Sequence, residues 1–190
     1  MEVRIIGFGE VLEIKPKKFG DDRGFFSETY NAANLVKSGL DATFVQDNHS
    51  YSAAPATLRG LHYQCPPAAQ GKLVRVTRGE VFDVAVDIRK GSPTFGQWVS
   101  LHLSAEKWNQ IFVPEGFAHG FVTLVPDTEV LYKVTSYYSP EHDRSIRYDD
   151  PSIDINWPAL GTPLVISRKD RDAPLLGETD TGFFYNGEPS

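Results

Sequence analysis

The feature that most constrains the fold of this chain is an alternation of side chains with a period of two. Between residues 81 and 88, one face carries Phe82, Val84, Val86 and Ile88 and the other carries Val81, Asp83, Ala85 and Asp87. Successive side chains of a β-strand point to opposite faces, whereas a helix would scatter both sets. Further strand-like runs, separated by turn signals, occupy residues 58–64, 72–77, 97–103, 110–113, 121–124 and 129–135. Short strands with short gaps predict an antiparallel sandwich or barrel.

Helical signals are few. Residues 31–38 predict one helix, because Asn31 can cap its start and Gly39 can supply a left-handed stop. A second short helix is predicted to begin at Ser167, since Ser167 and Asp170 have the spacing of a capping box with Asp in place of Glu. We expect one domain over residues 1–190, with a barrel core at about 45–140, an N-terminal hairpin and C-terminal short helices packed on it, and fraying at 187–190.

Composition and charge restrict the partners of this chain. It is 41% hydrophobic with a net charge of −6, as is typical of a soluble globular protein, and no run approaches the roughly 18 apolar residues of a membrane-spanning helix. A pI near 5.3 argues against adhesion to nucleic acid or to an anionic membrane. Cys65 is the lone cysteine, and the N-terminus lacks the features of a signal peptide. We therefore expect a cytoplasmic protein with small-molecule partners.

A histidine lies within the strand-like run LRGLHYQ at residues 58–64. Strict alternation would send Arg59 and His62 to opposite faces of the strand. Gly60 lies between them, and a bulge at this glycine could turn both side chains toward one pocket. A hydrogen-bonded core histidine is an equally good interpretation of His62 from these residues alone.

The segment PEGFAHG at residues 114–120 has the Pro-x-Gly-x-x-His pattern of cupins and places His119 beside a strand. Metal-binding cupins combine this pattern with a His-x-His run and a downstream Glu, because a divalent ion needs three or four converging ligands. Here the run reads His62-Tyr63-Gln64, and an amide is a poor replacement for imidazole. His49, His102 and His142 do not have the missing spacing. The sequence therefore favours a metal-free site.

Nine segments in a fixed order resemble the dTDP-4-dehydrorhamnose 3,5-epimerase family of cupin-like sugar-nucleotide epimerases. They are DRGFFSETY at 22–30, QDNHS at 46–50, LRGLHYQ at 58–64, PEGFAHGF at 114–121, YKVT at 132–135 with YY at 137–138, PEHD at 140–143, DDP at 149–151, INWP at 155–158 and SRKD at 167–170. The resemblance implies a cupin-type jelly-roll antiparallel β-barrel with a few short peripheral helices. It also implies a homodimer without a cofactor that inverts C3 and C5 of dTDP-4-keto-6-deoxy-D-glucose to give dTDP-4-keto-L-rhamnose.

The same resemblance assigns four residues to the chemistry. It makes His62 the base, and an imidazole suits this role because its unperturbed pKa of about 6.5 leaves a neutral fraction at physiological pH. Asp170 would orient that ring, with helix capping as its alternative role. Lys72 would stabilise the enolate oxygen. Tyr132 would be the acid on the opposite face of the sugar, although its strand period with Val130 and Val134 also fits a core tyrosine.

Nine further residues match ligand-contact positions of the family. Arg23 and Arg59 match positions that meet the pyrophosphate and nucleotide, where a planar guanidinium makes paired hydrogen bonds. Tyr138 would stack on the thymine and His119 would line the sugar pocket. Asp143 stands where the family more often has Glu. The remaining contact positions are Glu28, Gln46, Asn48 and Lys169.

Three other interpretations stay open at this point. A mono-epimerase acting at only C3 or only C5 would use the same base and acid. A sugar-binding or structural cupin would keep the barrel without turnover, although the intact candidates for base, orienter, acid and oxyanion donor argue against it. Catalysis by Cys65 is disfavoured, because its three-residue spacing along a strand directs the thiol away from His62.

Overall fold

The computed structural model describes residues 1–8 and 10–185, and these form two stacked sheets and one separate hairpin. In chain order the strands are β1 (Glu2–Ile6), β2 (Val11–Lys15), β3 (Lys18–Asp21), β4 (Gly24–Ser27), β5 (Gln46–Ser52), β6 (Thr57–Gln64), β7 (Lys72–Arg78), β8 (Glu80–Asp87), β9 (Trp98–Ser104), β10 (Gln110–Val113), β11 (Phe117–Thr123), β12 (Thr128–Val134), β13 (Asp143–Ser145) and β14 (Val165–Ile166). The helices are α1 (Ala32–Lys37), α2 (Arg168–Arg171) and the 3₁₀ turn Leu176–Glu178. The expectation of a mainly β chain is therefore confirmed.

The two sheets are almost entirely antiparallel. The first has the strand order β1-β2-β10-β7-β12-β5, and the second has the order β13-β6-β11-β8-β9. The short β14 adds to β6 in parallel, beside the part of β6 that β13 leaves free. The hairpin β3–β4 pairs with neither sheet. The predicted strand at 121–124 begins earlier than expected, at Phe117, because β8 and β6 pair with β11 on both sides.

The alternation at residues 81–88 explains why β8 lies at the centre of the molecule. Val81 and Ala85 point into the core between the two sheets, together with Val74 from the first sheet. Val84 and Val86 point the other way, into a second apolar cluster that the C-terminal segments cover. A strand apolar on both faces is thus buried on both faces, as expected for a central strand between two packed layers.

Both predicted helices are present with their predicted caps. Asn31 Oδ1 accepts from the backbone N–H of Asn34 at 3.1 Å and caps α1, which packs Leu35 on the outer face of the first sheet. Ser167 Oγ accepts from the N–H of Asp170 at 3.1 Å and caps α2. The predicted fraying at 187–190 lies outside the described residues. Within 1–8 and 10–185, no helix has the length and apolar character needed to cross a bilayer.

Candidate active site

A cavity of about 720 Å³ opens between the two sheets. This volume lies within the usual range for small-molecule sites. Strands of both sheets line it, and the segments around β13 and α2 close one side. The lining residues are Gln46, Asn48, Ser50, Thr57, Leu58, Arg59, His62, Tyr63, Gln64, Gln70, Lys72, His119, Phe121, Tyr132, Tyr138, Asp143, Val165, Ile166, Ser167, Lys169 and Asp170.

A bulge in β6 directs both Arg59 and His62 into this cavity. His62 pairs with His119 of β11 and Arg59 pairs with Phe121, so two residues of β6 face one residue of β11. Gly60 has a φ of +122°, and a Cβ there would lie 2.6 Å from the Cα of Gly120. Only glycine fits this backbone and this close approach. The predicted bulge is confirmed, and it explains how a strand places neighbouring functional groups on one wall.

His62 and Asp170 form a hydrogen-bonded pair. His62 Nε2 lies 2.5 Å from Asp170 Oδ1, and Oδ2 of the same carboxylate accepts from the N–H of Gly60 at 3.4 Å. Burial alone would raise the pKa of Asp170, but hydrogen bonds led by His62 hold it below its ordinary value. The helix cap and the histidine pair therefore coexist, because Ser167 supplies the capping oxygen and leaves the Asp170 carboxylate for the ring.

Lys72 is a buried residue of the cavity lining and joins the two sheets. It belongs to β7 of the first sheet, and its Nζ donates to the carbonyl oxygen of His62 in the second sheet at 3.0 Å. Burial lowers the pKa of Lys72 to about 8, while the negative charges of Asp143 and Asp83 oppose this shift. A lysine in such surroundings presents a poorly hydrated ammonium group to whatever enters the cavity.

Tyr132 enters the cavity from β12, in the sheet opposite to that of His62. Its backbone pairs with Asn48 on one side and with Val74 on the other. Burial is the main cause that raises the pKa of Tyr132, so the phenol keeps its proton at neutral pH. No hydrogen bond of the hydroxyl is found among residues 1–8 and 10–185. The phenol is thus a protonated donor facing the cavity.

A second histidine–carboxylate pair lies beside the first. His119 Nε2 is 3.0 and 2.9 Å from the two oxygens of Asp83, which is fully buried in β8. Our sequence analysis did not select Asp83 as a site residue. The signal was present, because Asp83 stands on the same strand face as Val81 and Ala85, where an unpaired carboxylate would be costly.

The polar contact residues form a connected network at the mouth of the cavity. Lys169 Nζ bonds to Asp143, and the Tyr138 hydroxyl donates to the same carboxylate at 3.3 Å. The N–H of Tyr138 donates to Gln46 Oε1 at 3.0 Å, and Gln46 Nε2 donates to Asn48 Oδ1 at 2.8 Å. This network joins α2, β13 and β5. Tyr138 itself is exposed, as a stacking platform requires.

Arg59 forms no ion pair in the described part of the chain, and its Nη1 group makes no hydrogen bond there. Its Nη2 donates to the carbonyl of Tyr51 at 3.0 Å, and both Nη2 and Nε donate to Ser52 Oγ at 3.3 Å. A guanidinium without a carboxylate partner is suited to phosphate oxygens.

Two of the predicted contact residues are not in this cavity. Arg23 lies on the exposed hairpin β3–β4, where its side chain bonds to Asp21. Glu28 follows the same hairpin and accepts from Asn34 Nδ2 at 2.8 Å. All the other predicted site residues line the cavity.

Gln64 bears on the possibility of a metal site and Cys65 on that of cysteine catalysis, and the contacts of both side chains are structural. Gln64 Nε2 donates to the carbonyls of Ala68 at 2.6 Å and Tyr137 at 3.2 Å, and its Oε1 accepts from the N–H of Ser139 at 2.8 Å. Its amide thus ties the loop after β12 to β6. Cys65 packs beside the second apolar cluster and does not line the cavity. No group of three His, Cys, Asp or Glu side chains arranged to hold a metal ion occurs in residues 1–8 and 10–185.

Comparisons with known proteins agree with this geometry. A family model described as dTDP-4-dehydrorhamnose 3,5-epimerase matches residues 6–178. A curated protein of that name from Sinorhizobium fredii is 54% identical over 185 residues, which cover 97% of this chain and 94% of the relative. The corresponding Salmonella typhimurium protein is 57% identical over 170 residues, covering 89% and 92%.

Solved structures share the architecture. The Legionella pneumophila dTDP-6-deoxy-D-glucose-3,5-epimerase, in complex with dTDP-4-keto-L-rhamnose, has a TM-score of 0.93 and 48% identity and covers 98% of this chain and 99% of that one. A 3′-monoepimerase from Streptomyces bikiniensis, in complex with dTDP-quinovose, has a TM-score of 0.84 and 31% identity and covers 90% and 86%. These likenesses confirm the cupin-like fold.

Proposed function

This chain belongs to the dTDP-4-dehydrorhamnose 3,5-epimerase family, and we propose that it converts dTDP-4-keto-6-deoxy-D-glucose into dTDP-4-keto-L-rhamnose by inverting C3 and C5. One observation carries the proposal. A carboxylate-bound imidazole, His62, and a protonated phenol, Tyr132, line one cavity from different sheets, and the buried ammonium of Lys72 lines the same cavity. A base, an acid and a cation beside a carbonyl are what two such inversions require.

The reaction follows from the position of the ketone. C3 and C5 both adjoin the C4 carbonyl, so a proton removed from either carbon leaves its electron pair on the C4 oxygen as an enolate. In our proposal Nδ1 of His62 takes the proton, because Nε2 donates its own proton to Asp170. The imidazolium formed is then stabilised by that carboxylate.

Reprotonation completes the inversion. The Tyr132 hydroxyl gives its proton to the same carbon on the opposite face as the enolate collapses to the ketone, and the phenolate and imidazolium then exchange protons with solvent. Lys72 stabilises the enolate oxygen in the meantime. A donor aimed at a developing oxyanion in a dry site typically contributes about 3 kcal/mol to lowering the barrier.

Deuterium uptake from heavy water tests this function directly. We expect purified protein, incubated with dTDP-4-keto-6-deoxy-D-glucose and a chelator, to label both C3 and C5 and to release the L-sugar. His62→Ala should abolish both exchanges. His102→Ala is the matched control, because His102 lies away from the cavity and bonds to Glu80 at 2.7 Å. Label at one carbon alone would identify a mono-epimerase, and unchanged turnover in His62→Ala would refute the assignment.

We further propose a homodimer in which Arg23 and Glu28 serve the cavity of the partner protomer. The hairpin β3–β4 belongs to neither sheet, and it exposes Phe19, Phe25 and Phe26 beside Arg23. Exposed aromatic clusters of this kind are typical of protein–protein interfaces. An arginine that matches a nucleotide-contact position, yet stands outside its own cavity, can make that contact in a second copy.

Mixed dimers test this arrangement. We expect Arg23→Ala and His62→Ala dimers to be nearly inactive separately. After dissociation and reassembly at equal amounts, half of the dimers are mixed, and each mixed dimer has one complete site, so about a quarter of the wild-type activity should return. If Arg23 acted within its own chain, no activity would return. A monomeric wild-type protein in sedimentation experiments would also contradict the proposal.

A further inference from the structure

The segment after β12 carries Tyr138 to the mouth of the cavity, and its own side chains do little to hold it there. Residues 137–139 belong to no helix or strand, and Tyr137 and Tyr138 are 71% and 57% exposed. In the part of the chain that the structure describes, the backbone groups of these two tyrosines make hydrogen bonds only to side chains. A segment with so few buried contacts is ordered by the groups that bond to it.

Gln64 bonds to the backbone on both sides of Tyr138. Its Nε2 donates to the carbonyl oxygen of Tyr137 at 3.2 Å, and its Oε1 accepts from the N–H of Ser139 at 2.8 Å. The second proton of Nε2 goes to the carbonyl oxygen of Ala68 at 2.6 Å. Because a carbonyl can only accept and a backbone N–H can only donate, these contacts allow a single orientation of the amide.

The place of Gln64 in the fold makes it a rigid support. It lies on β6 two residues after His62, its backbone pairs with Asp143 of β13, and it is 3% exposed. Both amide protons and the amide oxygen are engaged by the backbone. A side chain fixed in this way transmits the position of β6 to residues 137 and 139, and the Tyr138 ring projects from between them.

We propose that Gln64 is a positioning residue for substrate binding, which fixes the backbone around Tyr138 so that its ring is ready to receive the nucleotide base. The inference rests on the proposed function, under which the ligand is a dTDP-sugar and Tyr138 stacks on its thymine. Without the Gln64 amide, the segment samples other conformations. The apparent affinity then falls by the fraction of time that the segment spends in the competent one.

The test measures the dissociation constant of dTDP by calorimetry for the wild type and for Gln64→Met, which removes the amide and keeps a side chain of similar size. We expect Kd to rise about tenfold, as for a segment that is competent about a tenth of the time. KM should rise by a similar factor. The value of kcat should stay within about twofold, because a contact made equally in the ground state and the transition state affects KM alone.

Thr181→Val is the matched control. Thr181 is fully buried outside the cavity lining, and its hydroxyl donates to the carbonyl of Ile88 at 2.8 Å and accepts from the N–H of Phe183 at 3.4 Å. This variant also loses a buried side chain that ties a segment to a strand, yet its Kd and KM should equal those of the wild type.

A double-mutant cycle shows whether Gln64 acts through Tyr138. In a Tyr138→Ala background, Gln64→Met should leave the Kd of dTDP unchanged, because the ring that Gln64 positions is absent. An equal loss in both backgrounds would mean that Gln64 affects the cavity by another route, and it would overturn the proposal. A fall in kcat with an unchanged KM would do the same.

Binding of dTDP requires no turnover, so this inference can fail separately from the proposed function. If the wild type binds dTDP and Gln64→Met binds it equally well, only the role of Gln64 is refuted. If the wild type does not bind dTDP, the proposed function and this inference are both contradicted. Thermal unfolding checks each variant, and Gln64→Asn, which draws the amide back by one methylene, replaces Gln64→Met if the latter does not fold.

Discussion

Replacing Asp170 by asparagine keeps the shape of the side chain but should remove the basic nitrogen of His62. The carboxylate accepts through both oxygens, from His62 Nε2 at 2.5 Å and from the N–H of Gly60 at 3.4 Å. An amide has one oxygen, and the Gly60 N–H can only donate, so the asparagine oxygen faces Gly60 and its NH₂ group faces the ring. Nε2 must then accept, which moves the ring proton to Nδ1, the proposed base.

The loss of activity should be large and confined to turnover. Asparagine also removes the negative charge that stabilises the imidazolium, and the same change behind a catalytic histidine lowers kcat by about 10⁴ in a serine protease. We expect kcat to fall by about 10³ to 10⁴, which raises the barrier by about 4 to 5.5 kcal/mol. KM should change little, because the Asp170 side chain is almost fully buried and its oxygens are bonded to His62 and to the N–H of Gly60.

The assay measures kcat, KM and deuterium exchange for Asp170→Asn beside Asp172→Asn. Asp172 lies two residues further along, is exposed and bonds to Arg168 at 3.2 Å, so its variant should behave as the wild type. Thermal unfolding checks that both variants are folded. A folded Asp170→Asn protein that turns over within tenfold of the wild type, or that loses only substrate affinity, would refute the tautomer argument.

Two further predictions concern stability. Gly60→Ala should lower the free energy of unfolding, measured by chemical denaturation, by about 2 to 4 kcal/mol and remove activity, because the added Cβ meets the backbone of Gly120. Gly91→Ala is the control: its φ is also positive but the Cβ would enter open space, so the loss should be about 1 kcal/mol. The pKa of Lys72 is about 8 in the folded protein, against an ordinary value of 10.5. Between pH 8 and pH 10.5 the unfolded state therefore binds more protons than the folded state, and the free energy of unfolding of the wild type rises with pH by about 3 kcal/mol. Lys72→Met should be inactive yet more stable than the wild type at pH 7, and this difference should narrow toward pH 10; a constant difference would contradict the burial argument.

Hydrophobic alternation predicted most strands that build the core and missed three that line the site, β5, β13 and β14, of which β5 is the longest. Strand β5 (Gln46–Ser52) is polar along its whole length, so it has no periodic apolar signal. It forms because β12 pairs with it residue by residue, from Thr128 with Ser52 to Val134 with Gln46. A cavity wall needs polar side chains, and tertiary pairing rather than local propensity makes such a segment a strand.

Rules of local structure predicted parts of the site correctly where a single residue type determines the backbone conformation. The bulge at Gly60 followed from the need to bring Arg59 and His62 to one wall, and the cap at Ser167 followed from its spacing to Asp170. The alternation at residues 81–88 also places Asp83 on an apolar strand face. Such a carboxylate implies a partner from another strand, but our sequence analysis did not draw this conclusion. The identity of that partner, His119, depends on the register between β8 and β11, which sequence patterns do not specify.

The positions of Arg23 and Glu28 could not be predicted for a different reason. In our proposal their roles depend on how two chains assemble, which the pattern of one chain does not specify. A single-chain argument places every ligand-contact residue around one cavity, and the resemblance gave no reason to separate these two. Their hairpin pairs with neither sheet of its own chain and carries three exposed phenylalanines, so its surroundings within one chain do not account for its composition. Apolar surface of this kind is favoured only when another surface covers it. In the homodimer that we propose, a second copy covers this surface and Arg23 enters the partner's cavity, where Arg59 is the one arginine that the described residues supply to the lining. The complementation of Arg23→Ala by His62→Ala tests this arrangement.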